Sequence, residues 1–127
     1  MKKNTFRKQE RLTSLKTIEK LFTEGNVFVL HPYRVFWLRN EDQENCLKIA
    51  ISVPKKRFKK AVDRNLLKRR TREAFRTQKY ELTETLQLNQ LKLSVFLVYI
   101  NDTIVEFSFL EKQMLQVLQK LNNHMNS

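Results

Sequence analysis

The chain has 127 residues, the length of one domain, and 25 Lys and Arg against 13 Asp and Glu give a net charge of +12. That balance predicts a polyanionic partner, with nucleic acid first and an acidic membrane surface second. One glycine excludes glycine-rich phosphate loops, and one cysteine with two histidines excludes zinc fingers, disulfide scaffolds and cysteine–histidine catalysis.

The first predicted elements are a short helix and two strands. Apolar residues recur at helical spacing over residues 14–24, and Gly25 is a natural stop. A short β-prone run follows over Val27–Leu30. A stronger strand is predicted over Tyr33–Leu38, and the polar stretch Asn40–Asn45 reads as a turn.

The middle of the chain predicts a strand followed by a basic helix. Cys46–Val53 alternates apolar and polar residues, and Pro54 ends the strand. The basic segment should be helical over Ala61–Tyr80. Leu82–Gln90 remains open between a loop and a loose helical turn.

The last elements are a buried strand and an amphipathic helix. Leu91–Ile100 is the most apolar strand, and both of its faces should be buried. The helix begins near Phe107, where Ser108 and Glu111 have capping-box spacing, and a frayed tail is expected from Asn122. The order α-β-β-β-α-β-α predicts a single α+β domain spanning the chain.

The positive charge is concentrated in one segment. Residues 54–79 hold 12 basic side chains and two acidic ones, and residues 1–11 form a minor basic arm whose order is left open. On a helical wheel, one face of the central helix docks and the adjacent face is cationic. Repulsion between like charges on this face destabilises the helix, and a polyphosphate partner would neutralise those charges. The alternative interpretation of the charged face is that it is simply solvated.

A second candidate site is aromatic. Phe22 on the first helix, with Phe36 or Tyr33 on the second strand, can form a surface that stacks unpaired bases. The alternative for each of these rings is a position in the core.

No catalytic or metal-binding group is visible in the sequence. The C-terminal acids Asp102, Glu106 and Glu111 have the spacing of turn and cap residues. Neither histidine, His31 or His124, has an acidic partner in the sequence. The residues alone therefore predict a nucleic-acid-binding module that performs no chemistry itself.

The basic segment also contains a specific motif. Its parts are Arg64-Asn65, Lys68-Arg69, Arg72-Glu73, Phe75 and Arg76. In composition and spacing this motif resembles the signature of the bacterial ribonuclease P protein subunit. The strand that leads into Lys55-Lys56 is also similar. Leu66 and Ile18 depart from the pattern, since the family usually has Arg and an aromatic residue there.

The resemblance implies a two-layer sandwich with a four-stranded sheet and a left-handed β-α-β crossover through the basic helix. It implies a protein that binds the catalytic RNA of ribonuclease P and the 5′ leader of precursor tRNA. The single cysteine, Cys46, suits a reducing cytoplasm. The holoenzyme removes that leader by magnesium-dependent hydrolysis. The RNA carries the active site and binds most of the Mg²⁺, and the protein itself is non-catalytic.

The resemblance also implies roles for individual residues. Those expected at the catalytic RNA are Arg64, Asn65, Lys68, Arg69, Arg72 and Arg76. Those expected in the leader-binding cleft are Phe22, Tyr33, Phe36, Lys55 and Lys56. Further basic contacts are expected from Arg7, Arg11, Lys59 and Lys60.

Three other functions stay open on the residues alone. A structural RNA-binding protein of the ribosomal type shares the basic helix but needs no leader-binding surface. A DNA-binding regulator is disfavoured because its recognition helix would mix polar base readers among fewer cations. A membrane-surface helix is disfavoured because the apolar face of the basic helix is narrow and carries Thr71 and Ala74.

Overall fold

A computed structural model describes residues 15–41 and 43–126. Its described part contains one four-stranded sheet and four helices, which confirms the α+β class. In chain order the elements are α1 (Leu15–Glu24), β1 (Asn26–Leu30), β2 (Tyr33–Arg39), β3 (Leu47–Ser52), α2 (Ala61–Gln78), α3 (Tyr80–Leu88), β4 (Leu93–Tyr99) and α4 (Phe107–Met125).

The strand order in the sheet is β1-β2-β4-β3. β1 and β2 form an antiparallel hairpin, β2 pairs antiparallel with β4, and β3 pairs parallel with β4. Parallel neighbours require a long crossover, and here α2 and α3 supply it. The basic helix is therefore inserted between two adjacent strands, as the β-α-β expectation required.

The main core lies between one face of the sheet and α2, α3 and α4. Because side chains alternate along a strand, Tyr33 and Val35 of β2 enter this core while Phe36 points to the opposite face. From α2 the buried residues are Leu67, Thr71, Ala74 and Phe75. Burying a large apolar side chain contributes about 1.5–3 kcal/mol, so this row anchors the basic helix.

Helix α1 covers part of the other face of the sheet. Leu21 packs there against Phe96, and Phe36 and Leu38 lie beside them. This arrangement adds a partial third layer to the predicted two-layer sandwich. Gly25 closes α1, and a Cβ atom there would collide with the Leu21 carbonyl oxygen. With glycine here, a single residue separates the end of α1 from the start of β1.

A third helix fills the stretch that the sequence left open between loop and helical turn. α2 ends at Gln78, Lys79 is buried between the two helices, and α3 begins at Tyr80. Leu82 and Leu86 of α3 are buried in the main core. The element order therefore contains one more helix than predicted.

Helix α4 differs from its prediction at both ends. The capping box is wrong, because Glu106 is the N-cap residue, without a side-chain cap hydrogen bond, and Ser108 lies inside the helix. The frayed tail from Asn122 is also wrong, because the helix continues to Met125, whose side chain is buried. The ring of His124 packs on Trp37, with centroids 5.0 Å apart.

Candidate nucleic-acid interface

The predicted cationic residues of α2 lie beside its buried row. This cationic face consists of Arg64, Asn65, Lys68, Arg69, Arg72 and Arg76. Asn65 and Arg69 are exposed, and the others are half-buried at the edges. Because packing of the adjacent buried row fixes the helix, the cationic face has a defined orientation relative to the sheet.

Arg64 also fixes the backbone that precedes α2. Its Nη1 donates to the carbonyl oxygens of Phe58 at 2.7 Å and Lys59 at 2.9 Å. The two bonds hold the segment from Lys59 to Lys60 against the first turn of the helix. Lys59 and Lys60 are exposed there and extend the cationic face at its N-terminal end.

Arg76 of the cationic face pairs with a carboxylate on the same helix. Its Nε and Nη2 donate to Glu73 at 3.1 and 2.6 Å. The hydrogen bond from Arg76 holds the pKa of the Glu73 carboxyl below its usual range. The planar guanidinium is thus already oriented by an acid on the same helix.

The basic loop between β3 and α2 is tied to the loop after β4. Arg57 donates to Asp102 across 2.7 Å. Lys55 and Lys56 precede Arg57 and are exposed. This ion pair positions the two lysines beside the end of β3.

Tyr33 does not lie on the predicted aromatic surface. Its side chain is fully buried, and its hydroxyl shares a 2.8 Å hydrogen bond with Thr71 of α2. The prediction that Tyr33 lines the leader-binding cleft is therefore wrong. Its position two residues before Val35, on the same strand face, was the signal in the sequence that it belongs to the core.

Phe22 and Phe36 do meet, and Phe96 joins them. The Phe22 ring centroid lies 4.8 Å from that of Phe36 and 5.3 Å from that of Phe96, both edge to face. Phe22 is 52% exposed, Phe36 is half-buried and Phe96 is buried. We call these three rings the aromatic surface. The sequence did not identify Phe96 because apolar residues fill both faces of β4.

Two of the predicted basic contacts, Arg7 and Arg11, lie outside the described residues. Within the described ranges, no three His, Cys, Asp or Glu side chains are grouped so that they can hold a metal ion. Over the same part of the chain, every helix is too short or too polar to cross a membrane.

A family model described as Ribonuclease P matches residues 6–123 of the chain. The chain belongs to the ribonuclease P protein family. The matched region contains every described element up to Asn123 in α4. The motif identified in the sequence lies on α2, with its basic residues on the cationic face and Phe75 in the buried row.

Relatives agree with this membership. The chain is 35% identical over 121 residues to the ribonuclease P protein component of Porphyromonas gingivalis, which covers 94% of this chain and 88% of the relative. It is 35% identical over 79 residues to that of Petrotoga mobilis, which covers 62% and 64%.

Two solved structures share the fold. The RNase P protein from Thermotoga maritima has a TM-score of 0.70 and 23% identity, and the match covers 87% of this chain and 96% of that one. The Staphylococcus aureus RNase P protein has a TM-score of 0.63 and 16% identity, with coverage of 87% and 94%. At these identities the likeness concerns the fold alone.

Proposed function

We propose that this chain is the protein subunit of a ribonuclease P holoenzyme and that it contacts two RNA segments. The cationic face of α2 binds the catalytic RNA, and the aromatic surface with Lys55 and Lys56 binds the 5′ leader of precursor tRNA. The observation that carries the proposal is that the family motif lies on α2, while the aromatic surface lies across the sheet. The family membership disfavours a purely structural RNA-binding role.

The charges of α2 support RNA binding. Lys68 and Arg72 are four residues apart, so their like charges destabilise the free helix by about 0.2–0.5 kcal/mol. A phosphate placed against these side chains attracts both of them and offsets their repulsion, and the RNA releases its bound counterions. Arginine can also grip a phosphate with two parallel N–H groups, which lysine cannot do.

The aromatic surface supports binding of a single strand. Base stacking on an aromatic side chain contributes about 1–3 kcal/mol per base and requires an unpaired base. A leader upstream of the cleavage site offers such bases. The exposed half of Phe22 is the part of the surface that a base can reach.

In this proposal the RNA subunit performs the hydrolysis and binds the Mg²⁺. The protein instead holds the leader, which reduces the entropic cost of aligning the scissile phosphate. Its charge also reduces repulsion between the two RNAs, so cleavage needs less Mg²⁺. We infer that the protein acts in the cytoplasm, together with precursor tRNA.

A cleavage assay at low Mg²⁺ tests this function. The three reactions contain the cognate catalytic RNA alone, the protein alone, and both together with precursor tRNA. We expect cleavage at the mature 5′ end only when both are present. Cleavage by the protein alone would contradict the assignment of catalysis to the RNA, and no gain over RNA alone would contradict the subunit role.

A further inference from the structure

We propose that Arg34 is a further leader-binding residue, which binds a leader phosphate beside the base that stacks on the aromatic surface. This inference rests on the proposed leader-binding function and names a residue that the motif does not include. It assigns a role to the open end of the sheet next to α1.

The strand register places Arg34 on the same sheet face as the aromatic surface. Phe36 follows two residues later on β2. Because side chains alternate along a strand, Phe36 and Arg34 lie on the same face, with their Cα atoms about 7 Å apart. Across the sheet, Arg34 is flanked by Val29 of β1 and Val98 of β4. The next partner in this row is Ser52 of β3.

This row remains open to solvent. Val29 is 56% exposed, Arg34 is exposed, and Val98 and Ser52 are half-buried. The row lies at the end of the sheet where β3 leads through Pro54 into Lys55 and Lys56. Arg34 is therefore next to the aromatic surface, in a row of residues that ends beside the loop containing Lys55 and Lys56.

No neighbour in the row balances the charge of Arg34, because the residues flanking it on the adjacent strands are uncharged. Among the described residues its guanidinium forms no ion pair or hydrogen bond. A β-branched residue would suit this strand position at least as well. Packing in the fold therefore does not require an arginine at this position, whereas binding of a phosphate would use its charge.

A cation on the same sheet face as a base-stacking ring, two strand positions away, matches the chemistry of a single-stranded nucleic acid. Proteins that bind single strands combine aromatic rings for the bases with cations that follow the backbone. The side chain of Arg34 is long enough to reach the phosphate next to a base stacked on Phe22. A guanidinium can hold that phosphate through two N–H groups.

The test compares Arg34→Gln with Arg39→Gln in the reconstituted holoenzyme. Arg39 lies on the same strand and is exposed, but it points to the opposite face, so the control removes an equal charge. We expect Arg34→Gln to weaken binding of precursor tRNA about three- to tenfold and to leave mature tRNA unaffected. The salt dependence of precursor binding should fall by about 0.7 in slope. Arg39→Gln should change neither.

A second measurement locates the contact. Methylphosphonates that neutralise one leader phosphate at a time should weaken binding by the wild-type holoenzyme at several positions. At one of these positions Arg34→Gln should show no further loss, because the contact is already gone. If the variant responds to every substitution as the wild type does, Arg34 binds no leader phosphate.

Phe22→Ala, measured in parallel, separates the two levels of the proposal. If Phe22→Ala selectively weakens precursor binding and Arg34→Gln behaves like Arg39→Gln, the assignment of Arg34 is wrong and the leader-binding function stands. If neither Phe22→Ala nor Arg34→Gln distinguishes precursor from mature tRNA, leader binding at this surface is wrong, and the inference about Arg34 fails with it.

Discussion

The hydroxyl groups of Tyr33 and Thr71 lie 2.8 Å apart in the main core and share a hydrogen bond. Tyr33 is the first residue of β2, and Thr71 is in the buried row of α2. This bond therefore joins the central sheet to the helix that carries the family motif. Burial raises the pKa of the Tyr33 phenol well above its usual value.

Replacing Tyr33 by Phe should lower the free energy of unfolding by about 1–2 kcal/mol, since it leaves the Thr71 hydroxyl buried without its partner. Urea unfolding of the purified protein measures the change. In a double-mutant cycle with Thr71→Val, the second substitution should cost less in the Tyr33→Phe background than in the wild type. RNA affinity under folding conditions should not change. Additive effects in the cycle would contradict the coupling.

The same substitution should alter stability at alkaline pH. An unfolded tyrosine loses its proton near pH 10, whereas the raised pKa keeps folded Tyr33 protonated at higher pH. The folded state then binds more protons, so stability falls as the pH rises above about 10. Between about pH 9 and 11, Tyr33→Phe should lose less stability than the wild type. Tyr99 titrates in both proteins, and parallel curves would contradict this role for Tyr33.

Neutralising the cationic face should weaken binding of the catalytic RNA. Lys68→Gln or Arg69→Gln should each reduce the slope of log affinity against log salt by about 0.7–0.9, because one phosphate contact is lost. Binding to the RNA alone across several salt concentrations measures the slope. Lys112→Gln, an exposed cation on α4, is the matched control and should leave it unchanged. Equal slopes for all three variants would remove the face from the interface.

Truncating Phe22 to Ala should reduce affinity for precursor tRNA more than affinity for the catalytic RNA. One lost stacking contact corresponds to about 1–3 kcal/mol. Leu88→Ala removes another exposed apolar side chain, 78% exposed on α3, and should have no effect. Circular dichroism of each variant verifies folding. A similar loss for precursor and mature tRNA would exclude a leader contact at Phe22.

Local patterns in the sequence predicted the strands and the basic helix well, because alternation and helical spacing are strong where one face is buried. The sequence did not predict whether the segment that forms α3 is a helix or a loop. Its two buried leucines, Leu82 and Leu86, are separated by Thr83 and Thr85, whose helix propensity is low. Their burial against α4 stabilises a helix that the local sequence only weakly favours.

Long-range contacts account for the parts of the site that the sequence did not predict. Phe96 belongs to the aromatic surface because β4 pairs with β2 in a register that aligns it with Phe36. Gln43 lies in a polar turn, yet its side chain is buried. Its amide N–H donates a hydrogen bond to the Leu93 carbonyl oxygen, and its amide oxygen accepts one from the Ser94 hydroxyl. The pairing of Arg57 with Asp102 also spans 45 positions of sequence. Such partners are fixed by topology, which local spacing does not encode.

Helices α1 and α2 pack on opposite faces of one hydrogen-bonded sheet. In the proposed holoenzyme, the catalytic RNA holds the body of the precursor while the protein holds its leader. Binding of the leader then becomes an intramolecular event, whose effective concentration is set by the rigid spacing across the sheet. A modest affinity at the aromatic surface is enough, since each stacked base adds to a complex that is already assembled. Under the proposed function, product would depart readily, because mature tRNA lacks the leader that is assigned to this surface.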